Sequence, residues 1–218
     1  MTKTRTRAPM TQSSPALGSD RPARLGVVAL LAAALVAFAV APALLPATYS
    51  LVEHGISESA AQGIDGAWLA RMGFIGFGLA VIWLAQLRSR TWGWIGTLLH
   101  VGFGVCMLAV AAFSAKPWEE NAPYVAIEES LHSLFATVMG FGFIIGVLAV
   151  MIARRLPSLR AALPDLVVIV IATAIPLMMS FNIWGLLQRV MFVTAAVWYG
   201  REALMRYAKQ PPRPAEPS

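Results

Sequence analysis

Long apolar blocks alternate with short polar connections along this chain. Apolar runs fall at Leu25–Leu45, Ala67–Gln86, Trp92–Phe113, Leu131–Ile152, Leu166–Phe181 and Trp184–Tyr207. Each is long enough, or nearly so, to cross a bilayer, which takes about 20 residues. None alternates with the period of a barrel strand, and lipid offers no partner to an open backbone, so each run is predicted to be a helix. The pattern predicts an all-α integral membrane bundle of six transmembrane helices. Residues 1–24 and 209–218, rich in Pro, Ser, Thr and charge, hold too few large apolar side chains to offset the entropy of ordering. They are expected to be disordered tails around a transmembrane domain spanning residues 25–208.

The first run follows Arg21 and Arg24 and contains Ala39-Val40-Ala41, which has the look of a signal-peptide cleavage site. Its apolar stretch exceeds a normal signal core, and Pro42 directly after the cut would block processing, so it is predicted to be a retained span. The last two runs are separated only around Ser180, Asn182 and Gly185. Charge favours two spans there over one: with a single span, Arg201, Arg206, Lys209 and Arg213 would lie on the face opposite the basic amino-terminal tail.

Composition agrees with this picture. Of 218 residues 58% are hydrophobic and only 13% charged, about half the charged share of a soluble domain, and the mean hydropathy is +0.67. With six spans, all of the 17 basic residues except Arg71, Lys116 and Arg189 fall on one side. Excess Lys and Arg mark the cytoplasmic face, so both termini are expected in the cytoplasm and the connections at 46–66 and 114–130 outside. Glu53, Glu58, Asp65, Glu119, Glu120, Glu128 and Glu129 gather in those outer connections. The net charge of +6 is thus explained by topology, and no nucleic-acid partner is expected. Cys106 is the only cysteine, which excludes a disulfide framework and a cysteine-based zinc site.

The candidate chemistry lies near the outer face. Arg71 and Arg189 sit about one turn inside their spans, where a guanidinium is costly unless it snorkels or finds a carboxylate. Glu53, Glu58, Glu128 and Glu129 are the available acids, so topology-fixing ion pairs are one reading. His54 and Glu58 are four residues apart, as are Glu128 and His132, so each pair shares a face wherever its segment is helical. His54, Glu58, Glu128 and His132 are therefore candidate metal ligands, with zinc the metal that suits them, and Ser57 a nearby oxygen. His132 shares a face with Ala136 and Gly140, above the Gly142-x3-Gly146 motif, and is expected to face the bundle. An imidazole and two arginines turned inward define a polar pocket opening outward, rimmed by Tyr49, Trp118, Tyr124 and Trp184. His100, at mid-depth, is read as a bundle-facing hydrogen-bonding residue. Pro42 and Pro176 are expected to bend their helices, the latter with Ser180 loosening the backbone.

There is no phosphate-binding glycine loop, dinucleotide fingerprint or nucleophile elbow, and the absence of an internal repeat weighs against a transporter built from duplicated halves.

Tyr49-Ser50-Leu51-Val52-Glu53-His54-Gly55-Ile56-Ser57-Glu58, the pair Leu131-His132, and Gly185-Leu186-Leu187-Gln188-Arg189 resemble the motifs of the bacterial membrane family called domain of unknown function 998. The resemblance covers everything between the tails. It implies six transmembrane helices in a bacterial plasma membrane and brings no established activity. It places its emphasis on Glu53, His54, Ser57, Glu58, His132 and Arg189; Arg71 and Glu128 rest on depth and spacing alone.

These observations lead to one expected function and two alternatives. The expectation is a multi-pass membrane protein binding or sensing a lipid headgroup or small anionic ligand, without a cofactor, through Glu53, His54, Ser57, Glu58, Arg71, Glu128, His132 and Arg189. The enzyme alternative is a metal-dependent intramembrane hydrolase of lipid, with zinc on His54, Glu58, Glu128 and His132 and with Glu53 or Ser57 assisting a water. The third is a non-catalytic assembly or regulatory subunit with a membrane-protein partner.

Overall fold

A computed structural model describes residues 20–156, 158–178 and 182–205. Most of both predicted tails, with Ser180, lies outside the described residues. Five α-helices are present: α1 (Arg21–Val40), α2 (Trp68–Ala112), α3 (Ala126–Arg154), α4 (Leu159–Ala174) and α5 (Trp184–Leu204). No strand occurs among the described residues.

The second and third predicted spans are both contained in α2. Gly93 interrupts it with φ 68° and ψ 170°, a conformation essentially confined to glycine. The chain reverses there. Residues 78 and 104 would lie about 39 Å apart on a straight helix, yet a Cβ on Gly78 would meet the carbonyl oxygen of Gly104 at 2.7 Å. The second and third predicted helices are thus the two antiparallel arms of α2, joined by one glycine where a connecting loop was predicted.

Helix ends depart from the apolar runs in a consistent direction. α1 begins at Arg21 rather than Leu25, α3 at Ala126 rather than Leu131, and α4 at Leu159 rather than Leu166. Helices extend beyond their apolar cores because polar residues are tolerated in an end turn, and Pro at the first turn of α1 suits a helix start. Pro42 does perturb the first helix: the chain tightens into a 3-10 turn at Ala41–Leu44. Pro176 sits in a similar turn at Ile175–Met178.

Packing leaves many large apolar side chains on the outside of the bundle. Small and aromatic residues point inward: Ala34, Ala70, Ala80, Phe77, Trp92, Trp198 and Tyr199 are buried, while Val36, Leu134, Val170 and Val197 are exposed. Phe38 of α1 meets Phe74 and Phe192 edge-on, with centroids 4.9 and 5.2 Å away, tying α1 to α2 and α5. Four helical stretches, Arg21–Leu44, Trp68–Ala112, Ala126–Arg154 and Leu159–Met178, are long and apolar enough to cross a membrane. α5, which carries Arg189, Arg201 and Glu202, is not among them. Arg24 donates to the carbonyl of Met205 at 3.4 Å, so the described chain ends meet at one end of the bundle. The connections 45–67 and 113–125 lie at the other, the loop-bearing end.

Candidate functional site

Two separate polar assemblies occupy the loop-bearing end. The first joins the 49–58 segment to the start of α5. Arg189 donates through Nη1 to the carbonyls of Leu51, His54 and Gly185 at 2.8, 2.9 and 2.8 Å, and through Nη2 to the Tyr49 hydroxyl at 2.7 Å. Ser57 donates its N–H to Gln188 Oε1 at 3.2 Å, and the Leu186 N–H reaches the carbonyl of Val52 at 3.2 Å. Within the segment, His54 Nδ1 accepts the Ser50 N–H at 2.8 Å, which leaves the ring proton on Nε2, and Glu58 accepts the Gly55 N–H. The His54 ring stacks on Trp118. Burial pushes the Tyr49 phenol above its ordinary pKa, partly opposed by the Arg189 guanidinium. Glu53 is exposed, and its N–H donates to Ser50 Oγ.

The second assembly joins residues 60–62 to the start of α3. Arg71 donates Nε to the carbonyl of Ala60 at 3.0 Å and Nη2 to that of Ala61 at 2.8 Å. Glu128 Oε1 accepts the Ser114 N–H at 2.9 Å, and His132 Nδ1 meets the Phe113 carbonyl at 2.8 Å. A carbonyl only accepts, so this His132 nitrogen carries the proton. His132 is buried, as its place on the small-residue face predicts. Gln62 bridges the loops, donating to the carbonyls of Ser114 and Val125 and accepting the Val125 N–H. Beside these residues lies an open cleft of about 480 Å³ lined by Gln62, Gly63, Arg71, Pro123, Tyr124, Val125 and Glu128.

The sequence led us to expect acidic partners for Arg71 and Arg189. Instead, main-chain carbonyls hold both. Among the described residues every ion pair involves Asp20, Asp165 or Glu202, so neither arginine has a carboxylate partner. Carbonyl dipoles take some of the guanidinium N–H groups and leave the net charge uncancelled. The metal candidates divide between the two assemblies, His54 and Glu58 in one and Glu128 and His132 in the other, and no three His, Cys, Asp or Glu side chains converge among the described residues.

The opposite end holds an assembly that the sequence reading passed over. Asp165 and Glu202 are fully buried. Asp165 takes Arg201 at 3.0 Å, Arg154 at 3.4 Å and the Trp198 indole N–H at 2.8 Å. Glu202 pairs with Arg154 and accepts from the Trp92 indole at 2.9 Å. Arg88 caps the end of α5, donating to the carbonyls of Glu202, Ala203 and Met205. Trp92 and Trp198 flank the His100 ring, whose Nδ1 lies 2.9 Å from the Tyr199 hydroxyl. The available signal was an acid bordering or inside each of the last two apolar runs, Asp165 directly before the fifth and Glu202 within the sixth. Counting Arg88, Arg154 and Arg201 as topology markers hid their partners.

A family model described as a protein of unknown function (DUF998) matches residues 21–204. No curated protein and no solved structure matches the chain.

Proposed function

Because the chain belongs to the DUF998 family over residues 21–204, we propose that it is a multi-pass protein of a bacterial plasma membrane, with its loop-bearing end outward, that binds a lipid headgroup or small anionic ligand there. One observation carries the reading: Arg71 lines an open cleft and has its guanidinium held by two carbonyls with no carboxylate beside it. Nη1 makes no hydrogen bond among the described residues, which leaves one donor group and a full charge for a ligand oxygen. Arg71 lies in the first turn of α2 and Glu128 in the first turn of α3, and the exposed Trp68 and Tyr124 nearby suit headgroup depth. Arg189, held by three carbonyls and Tyr49, acts in this reading by holding the 49–58 segment in place, and His54, Ser57 and Glu58 act with it.

The test is a thermal-shift titration of purified protein with phosphate monoesters and with short-chain anionic lipids. The wild type is expected to be stabilised in a concentration-dependent way and Arg71→Gln to respond at least tenfold more weakly, one charge-assisted bond being equivalent to about that factor. An equal response of the two proteins counts against the reading.

A further inference from the structure

Charge is distributed very unequally between the two ends of the bundle. At the end where Arg24 meets Met205, acids and arginines are paired. At the loop-bearing end Arg71, Arg189, Lys116, Glu119, Glu120 and Glu128 are present, and no ion pair forms among them. Arg71 and Glu128 line the same cleft and yet stay more than the 4 Å of an ion pair apart, each anchored to main chain on its own side. Gln62, buried and bonded to Ser114 and Val125, ties the strip carrying Ala60 and Ala61 to the foot of α3 and so helps keep the two charges separated. Glu128 uses only Oε1 in a hydrogen bond, and its Oε2 makes none among the described residues. A neighbouring hollow of about 530 Å³ shares Gln62, Gly63 and Pro123 with the cleft and adds Glu119 and Glu120.

An arginine and a carboxylate facing one cleft without touching leave room for a ligand that carries both opposite charges. From this we infer that the cleft takes a zwitterion, an ammonium joined by a short linker to a phosphate, with the phosphate on Arg71 and the ammonium on Glu128. Phosphate suits the fork of a guanidinium, and an ammonium, which has three donors and no acceptor, suits a carboxylate oxygen with a free lone pair. A purely anionic ligand would bring its charge up against Glu128, and the acids of the adjoining hollow would oppose it further. The inference rests on the headgroup reading above and narrows it to one ligand class, found either on an aminophospholipid or on a free phosphoethanolamine.

The experiment uses the full chain in lipid nanodiscs or mild detergent and compares phosphoethanolamine with glycerol 3-phosphate, and phosphatidylethanolamine vesicles with phosphatidylglycerol vesicles. Wild type is expected to bind the amine-bearing member of a pair about tenfold more tightly. Preference with vesicles alone assigns the lipid-borne ligand, and preference with the free compounds assigns the soluble one. Glu128→Gln, whose amide oxygen can still accept the Ser114 N–H, is expected to lose the preference and to bind glycerol 3-phosphate more tightly than wild type, because the repelling charge is gone. Arg71→Gln is expected to weaken both. Melting temperatures without ligand show whether each variant is folded, and the wild-type comparison decides the matter without any variant. Equal binding of both members by the wild type overturns the zwitterion and leaves the headgroup reading standing. No binding of any of the four probes overturns both.

Discussion

Arg189 donates to the carbonyl of His54 at 2.9 Å across 135 residues of chain. This bond joins two of the three motif segments that set the family resemblance, Tyr49–Glu58 and Gly185–Arg189. They are distant in sequence and form one knot. Replacing Arg189 by Ala removes a donor to three carbonyls and to Tyr49. A loss of about 2 kcal/mol in unfolding free energy is expected, given that hydrogen bonds to charged groups are each equivalent to roughly 1.5–3 kcal/mol and that water can replace some of them at this half-buried site. Denaturant unfolding in detergent measures it, and Arg189→Lys should recover only part, since an ammonium lacks the fork.

The same knot has a pH dependence. The Tyr49 phenol is raised by burial, so the folded state holds its proton more tightly than the unfolded state. Its contribution to stability is present below the ordinary phenol pKa and is lost as pH climbs from there through the raised folded value. Alkaline melting curves of the wild type should fall more steeply in that window than those of Tyr49→Phe.

At the opposite end, Asp165 and Glu202 are buried among arginines and indoles. Removing one partner strands a buried charge, so Asp165→Ala and Glu202→Ala are each expected to cost about 3–5 kcal/mol. α5 is the helix outside the set apolar enough to cross by itself. In a translocon insertion assay the isolated α5 segment should insert poorly, and insertion should improve when α2 to α4 are present. Efficient insertion of the segment alone would refute the dependence.

Packing around His100 gives a sharper test. A Cβ at position 146 would lie 2.9 Å from His100 Cε1 and 3.0 Å from Nε2. Ring contacts with Trp92 and Trp198 and the Tyr199 bond leave the imidazole little room to retreat. Gly146→Ala should therefore destabilise by about 1–3 kcal/mol through overpacking. The double variant Gly146→Ala with His100→Ala should show less than the sum of the two single losses, and simple additivity would show that the two sites do not press on each other.

How much of this was legible beforehand depended on the kind of signal. Apolar blocks exposed to lipid write themselves directly into composition, and the all-α bundle followed. The reversal between the second and third runs was legible in the polar stretch Arg88-Ser89-Arg90-Thr91, but its form was not: a single glycine, Gly93, turns the chain where a loop was expected. Depth and spacing picked out Arg71, Glu128, His132 and Arg189 as polar residues near one face. Their partners were invisible: main-chain carbonyls carry no residue signature, so arginines bonded to Ala60, Ala61 or Leu51 looked like arginines in want of acids. The four-residue spacing of His54 and Glu58 does not become a shared helical face. Only Glu58–Ala60 is helical there, as a 3-10 turn, and the two side chains serve separate main-chain bonds.

Gly93 has a further consequence. Its φ of 68° with ψ of 170° is open to glycine at little strain, and any Cβ would add about 1–3 kcal/mol; Gly93→Ala should lower the melting temperature measurably. Since the two arms of α2 meet at this residue with no intervening coil, they form a hairpin without a cuttable tip. A protease supplied to that face would find no slack substrate between Trp68 and Ala112, and the arms would fold or open together as one piece.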